Sequence, residues 1–174
     1  MRRLAVIALL AALAAAPPAL GSARLVTGGY PYASECPRAG VQDRVDRWRM
    51  NTCNCTSYVA WALARNGYRT DWFVPGRMDA WNWPTVAKRR GIQVGSTPRV
   101  GAVAVWPEWG KRGHVAFVDA VHAGGRFDVA EYNTPGHVRF GFDRRTDVRP
   151  SEDIDFLYVP QRAYPVVAGE HMFS

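Results

Sequence analysis

Apolar positions recur with a helical period in the middle of the chain and alternate as strands do in its second half. From Cys55 they fall at Cys55, Tyr58, Val59, Ala62 and Leu63, the i, i+3, i+4, i+7, i+8 stripe of a helix with one buried face. Asn54 stands where an N-cap is expected, and Asn66-Gly67 supplies the stop, because glycine enters the left-handed conformation that ends helices. The stripe puts Cys55 in the first turn, on the buried side. A second helix is expected over about 79–90, ending at Gly91, with Pro84 in its first turn where proline is tolerated. "VQDRVDRWR", residues 41–49, has the pattern of a short helix. Beyond Pro98 the period shortens. Runs at 100–106, 114–121, 126–133, 137–142 and 155–160 are rich in Val, Phe, Tyr and Ala and are divided by Gly, Pro and Asn turns, which is the signature of short strands. Helices first and then tightly connected strands describe an α+β domain, N-terminal helices packed on an antiparallel sheet. A doubly wound α/β fold is disfavoured, since no helices alternate with the strands.

The hairpin "HVAFVDAVHAGGRFDVAEYN" concentrates polar groups. With Gly124-Gly125 as a two-residue turn, Ala116 faces Asn133 and Val118 faces Glu131. His114, Glu131 and Asn133 then project from one side, because cross-strand partners and alternate residues share a face. A three-residue turn without a bulge would destroy this grouping, since a one-residue slip exchanges the faces.

The N-terminal region changes the picture of where the chain works. Arg2 and Arg3 precede the apolar run 4–16, followed by Pro17-Pro18 and the small residues Gly21 and Ala23. That is the pattern of a secretory signal peptide, assigned to residues 1–23, and the run is too short to span a bilayer. Residues 24–174 are expected to form one exported domain with a core over about 30–160 and no stable membrane anchor. The 174 residues carry 22 basic and 15 acidic side chains, and the excess persists without Arg2 and Arg3. A basic exported protein is suited to anionic polymers. Nucleic acid is disfavoured because the basic residues are scattered and accompany no binding motif.

Three cysteines, Cys36, Cys53 and Cys55, suggest one disulfide and one free thiol in an exported protein. Cys53 and Cys55 are poor partners for each other because so small a loop strains the bond. Cys36 can reach either, so counting leaves the pairing open. A single Cys-x-Cys without a second ligand pair is a weak zinc site, and no metal or cofactor is expected. A thiol becomes a nucleophile when an imidazole takes its proton and a third group orients the imidazole, and helix N-terminal amides favour the thiolate. The competing interpretation is a structural cysteine and a surface histidine. His137, which opens a strand, is the alternative base.

The segments "NCTSYVAWAL", "TPRVGAVAVW", "GHVAFVDAV" and "VAEYN", in this order and spacing, resemble the CHAP family of cysteine, histidine-dependent amidohydrolase/peptidase domains. The resemblance covers residues 30–143. It implies a papain-like α+β fold and a peptidoglycan amide bond as substrate, with Cys55 as nucleophile and His114 as general base and then acid. Glu131 would orient the imidazole, and Asn133 would assist there or at the oxyanion. Family members often carry Gln immediately before the nucleophile and an aromatic two residues after it, where this chain has Asn54 and Ser57. The backbone amide of Cys55 is then the expected oxyanion donor, helped by Asn54. If Cys55 stays reduced, the implied disulfide is Cys36–Cys53. "WPEWGKRG" precedes His114, which makes Trp109 a candidate wall of a glycopeptide groove. The expected partners are peptidoglycan and anionic wall polymers, and the expected state is a monomer, secreted or associated with the cell wall. The rival readings are a non-catalytic wall-binding module and an NlpC/P60-like peptidase.

Overall fold

The computed structural model describes residues 25–36, 44–76 and 78–162; the signal peptide assignment lies outside them. The fold is α+β. Helix α1 (Cys55–Arg65) and, after a single 3-10 turn (Ala80–Asn82), helix α2 (Trp83–Arg89) precede strands β1 (Gln93–Gly95), β2 (Val103–Trp106), β3 (His114–Val121), β4 (Phe127–Thr134), β5 (Val138–Val148) and β6 (Asp155–Tyr158). The strands form one six-stranded sheet in the order β1-β6-β2-β3-β4-β5, with every paired neighbour antiparallel.

The alternation of β2 and β3 divides the core in two. Val103, Val105, Val115 and Phe117 pack with Tyr58, Val59, Ala62 and Leu63 of α1. Ala104, Trp106, Ala116 and Val118 face the other way, against Phe127, Val129 and Phe156. Burying an apolar side chain on either face contributes about 1.5–3 kcal/mol. All eight β2 and β3 residues named are buried, so the central strands are fixed on both sides.

The N-terminal segment runs along α1 and ties down its start. Tyr58 Oη donates to the carbonyl of Thr27 at 2.7 Å, and the Tyr30 and Ser57 hydroxyls are 2.6 Å apart. The backbone N–H of Cys53 donates to Tyr30 Oη. Ser57 is fully buried and is satisfied by its bond to Tyr30. Cys36 and Cys53 form a disulfide with a Cα–Cα distance of 5.3 Å, and Cys55 is the free cysteine.

Several expectations are corrected. The helix over 79–90 is broken into the 3-10 turn and the seven-residue α2, with Pro84 in the first turn. Residues 44–50 are not helical. Asp46 Oδ1 instead accepts the backbone N–H groups of Trp48 and Met50 at 2.8 and 2.9 Å, which closes a turn between the bridged residues Val45 and Asn51. Strand β1 was not anticipated, being only three residues long, and β5 continues six residues past Phe142.

Candidate active site

Cys55 is the first residue of α1. The left-handed conformation at Cys53 (φ 62°), held by its disulfide and by Tyr30, brings the chain into the helix there. Asn54 occupies the N-cap position in extended conformation, but its side chain does not cap the helix. Its Oδ1 is occupied by Asn133.

His114 opens β3 directly after Gly113, whose φ is 69°. A Cβ at Gly113 would meet the backbone N of Trp81 at 2.7 Å and the carbonyl of Pro107 at 3.0 Å, so only glycine lets the chain turn here. The imidazole is 1 % exposed and Glu131 is 0 % exposed. His114 Nε2 donates to Glu131 Oε2 at 2.6 Å. With Nε2 engaged, Nδ1 is the ring nitrogen left free to act on Cys55. Burial alone would lower the His114 pKa, but negative charge at Cys55, the hydrogen bond to Cys55 and the Glu131 contact outweigh it and raise the value to about 9. Burial raises the Glu131 pKa in turn, but the hydrogen bonds from His114 and Arg145 hold it below the usual carboxylate value.

The grouping of His114 and Glu131 survives a register that differs from the expected one. Three residues, Ala123–Gly125, form the turn, which taken alone would exchange the faces. The register then shifts at a bulge between Val118 and Ala120. Beyond it Phe117 pairs with Ala130 and Val118 with Val129, so Ala116 comes opposite Glu131. The net displacement is two residues, an even number, and the shared face is kept.

Of the two places expected for Asn133, beside the imidazole or beside the oxyanion, its hydrogen bonds lie on the Asn54 side. Asn133 lies at φ 54°, and its Oδ1 accepts the backbone N–H of Phe140 at 3.0 Å. Because that donor is unambiguous, the other atom of the amide is Nδ2, which donates to Asn54 Oδ1 at 2.7 Å. The orientation of both amides is thereby set, and Asn54 Nδ2 remains available beside Cys55. Asn133 thus holds Asn54 and makes no hydrogen bond to the imidazole among the described residues.

Arg145, in the part of β5 that the sequence did not announce, completes the buried group. Its Nε donates to Glu131 Oε1 at 2.5 Å and its Nη2 to Oε2 at 3.0 Å. The guanidinium lies over Trp106 and Trp109, 4.5 and 4.7 Å from the ring centroids. Trp109 also meets the His114 ring edge to face at 5.1 Å. Trp109 is therefore packed against the imidazole, half-buried, and is not among the residues lining the cavity.

The cavity, about 410 Å3, is lined by Cys55, His114, Asn54 and Asn133 together with Arg49, Met50, Asp79, Arg112 and neighbouring residues. His137 is exposed and lies outside it, and His122 is paired with Asp128 at 2.8 Å. A helix-borne thiol and a strand-borne, carboxylate-held imidazole facing one cavity define an α+β protein with a cysteine–histidine site.

The comparisons with known proteins agree with this class. The CHAP domain pattern matches residues 45–133, from the turn before α1 through Asn133, and the chain belongs to the CHAP domain family. A putative hydrolase of Streptococcus mutans is 40 % identical over 63 residues, 36 % of this chain and 28 % of that protein. Staphylococcal secretory antigen ssaA2 of Staphylococcus aureus is 40 % identical over 55 residues, 32 % of this chain and 20 % of that protein. The chain thus spans under a third of the length of these curated relatives. The crystal structure of an N-acetylmuramoyl-L-alanine amidase from Staphylococcus aureus superposes with a TM-score of 0.56 at 25 % identity, over 69 % of this chain and 34 % of that one.

Proposed function

We propose that this protein is an exported peptidoglycan hydrolase that cleaves an amide bond by cysteine nucleophilic catalysis. The target is the bond between the lactyl group and the stem peptide or one within the peptide. The observation that carries the proposal is the fully buried His114, held by Glu131 at 2.6 Å and lining the same open cavity as the free thiol Cys55. The arrangement is papain-like: a cysteine at a helix start faces a histidine at a strand start.

The steps follow from the atoms present. The Cys55 Sγ attacks the scissile carbonyl carbon while the His114 imidazolium is held by Glu131. Negative charge collects on the carbonyl oxygen, where the Cys55 backbone N–H and Asn54 Nδ2 are the donors. As the C–N bond breaks, His114 Nδ1 gives its proton to the leaving amine, and a thioester remains. Water then loses a proton to Nδ1 and attacks the thioester carbonyl, which releases the acid and restores the thiolate–imidazolium pair. Arg145 keeps Glu131 ionised and aimed.

Export is supported by the Cys36–Cys53 disulfide, since such bonds persist in oxidising surroundings, and by a relative whose name is secretory antigen. The net positive charge suits anionic wall polymers. The test is muropeptide release from purified walls: Cys55→Ala and His114→Ala should each abolish it while retaining the wild-type circular dichroism spectrum.

A further inference from the structure

Arg49 lines the catalytic cavity, and its backbone is held in a conformation that costs an arginine energy. Its φ is 66°, in the left-handed region where a Cβ is crowded, and such residues cluster at ligand-binding sites when the surrounding structure holds them there. Here the holding groups are visible. The N–H of Arg49 donates to the Asp46 carbonyl at 3.0 Å. The buried Asp46 carboxylate takes the N–H groups on either side, those of Trp48 and Met50. The bridge between Val45 and Asn51 closes the turn, and the disulfide at Cys53 anchors its C-terminal end. Among the described residues the Arg49 guanidinium has no ion pair or hydrogen bond. The other cavity arginine, Arg112, already faces Asp79 at 3.4 Å. Arg49 is therefore a cation without a partner among the described residues, at the cavity wall, on a hydrogen-bonded turn that ends beside the nucleophile.

We propose that Arg49 determines specificity by binding a carboxylate of the substrate next to the scissile bond. Building on the peptidoglycan reading above, that carboxylate is a free one on the stem peptide. A guanidinium fits it with two parallel hydrogen bonds. A carboxamide at the same position offers only one acceptor and no charge. The recognition thus discriminates stem peptides whose carboxylates are free from those in which they are amidated.

The experiment uses two synthetic muramyl peptides identical except that the γ-linked glutamate of the stem carries its α-carboxyl free in one and as carboxamide in the other. Wild-type protein should cleave the acid with a kcat/KM about 10- to 100-fold above the carboxamide, the range of a charge-assisted hydrogen-bonded contact, expressed mainly in KM. Arg49→Gly, compatible with the fold because glycine adopts this φ freely, and Arg49→Met should bring the ratio to within about threefold, whereas Arg49→Lys should keep part of it. Equal cleavage of both peptides by the wild type overturns the proposal without reference to any variant, as does an Arg49→Gly protein that still discriminates. Cleavage of neither peptide by the wild type would overturn the peptidoglycan reading itself, and the Arg49 proposal with it.

Discussion

Replacing Arg145 by Met removes the only cation that touches Glu131, besides the imidazole, among the described residues. Glu131 is 0 % exposed, and it loses hydrogen bonds of 2.5 and 3.0 Å to a guanidinium that is itself 19 % exposed. Removing one partner of a buried ion pair costs about 3–5 kcal/mol. His114 still bonds Oε2 and the methionine side chain covers Trp106 and Trp109, so the low end of that range, about 3 kcal/mol, applies. For a domain of this size that is a fall of about 6–12 °C in melting temperature. A carboxylate free to turn also misplaces the imidazole, for which a loss of about 100-fold in kcat/KM is expected. Differential scanning calorimetry and a muropeptide assay read the two effects. The sharper check is the double variant Glu131→Gln/Arg145→Met, which leaves no buried carboxylate uncompensated and should melt above Arg145→Met alone. The reasoning fails if Arg145→Met melts within about 2 °C of wild type, or if the double variant loses the sum of the two single losses.

The raised His114 pKa, about 9, predicts an alkaline limb of kcat/KM near pH 9, because the proton donated to the leaving amine is lost above it. The protonated imidazole is favoured by folding, so its contribution to stability is fully present below the unfolded value of about 6.5 and lost as pH rises through about 9. Since Cys55 supplies the first of the raising influences, Cys55→Ala should lower the His114 pKa in an NMR titration; an unchanged midpoint would contradict the pairing. Asn54→Ala should cut kcat by about 100-fold with little change in KM, as removing one oxyanion donor does, and a purely KM effect would exclude the transition-state role.

The α1 helix and its first-turn cysteine were legible because the apolar spacing from Cys55 to Leu63 fits a helical period, although burial extends beyond that stripe to Ser57, Ala60, Trp61 and Ala64. The His114–Glu131 pairing was legible for a subtler reason. The three-residue turn and the bulge at Asp119 each shift the register by one, and neither is visible in "HAGGRF", but together they preserve the face. Arg145 was hidden because "DRRTDV" has the polarity of a loop; its residues form a strand only because β4 offers them a hydrogen-bonding edge. The turn at 44–50 reads as a helix by its apolar spacing, but the Asp46 carboxylate outcompetes helical carbonyls for the Trp48 and Met50 N–H groups, as short acidic side chains do. The Asn54–Asn133 contact depends on a left-handed asparagine at the end of β4, which no periodicity announces. Ser57 and Tyr30 form a buried pair whose two members come from segments 27 residues apart.

The central claim is that Cys55 is the nucleophile of an amide-cleaving site. It is tested most directly by mass spectrometry of the fragments that wild type and Cys55→Ala release from one defined muropeptide. The wild type should yield a single new amine and acid pair, and Cys55→Ala, folded as shown by a wild-type circular dichroism spectrum, should yield neither. Release of the same fragments at the wild-type rate by Cys55→Ala would contradict the account.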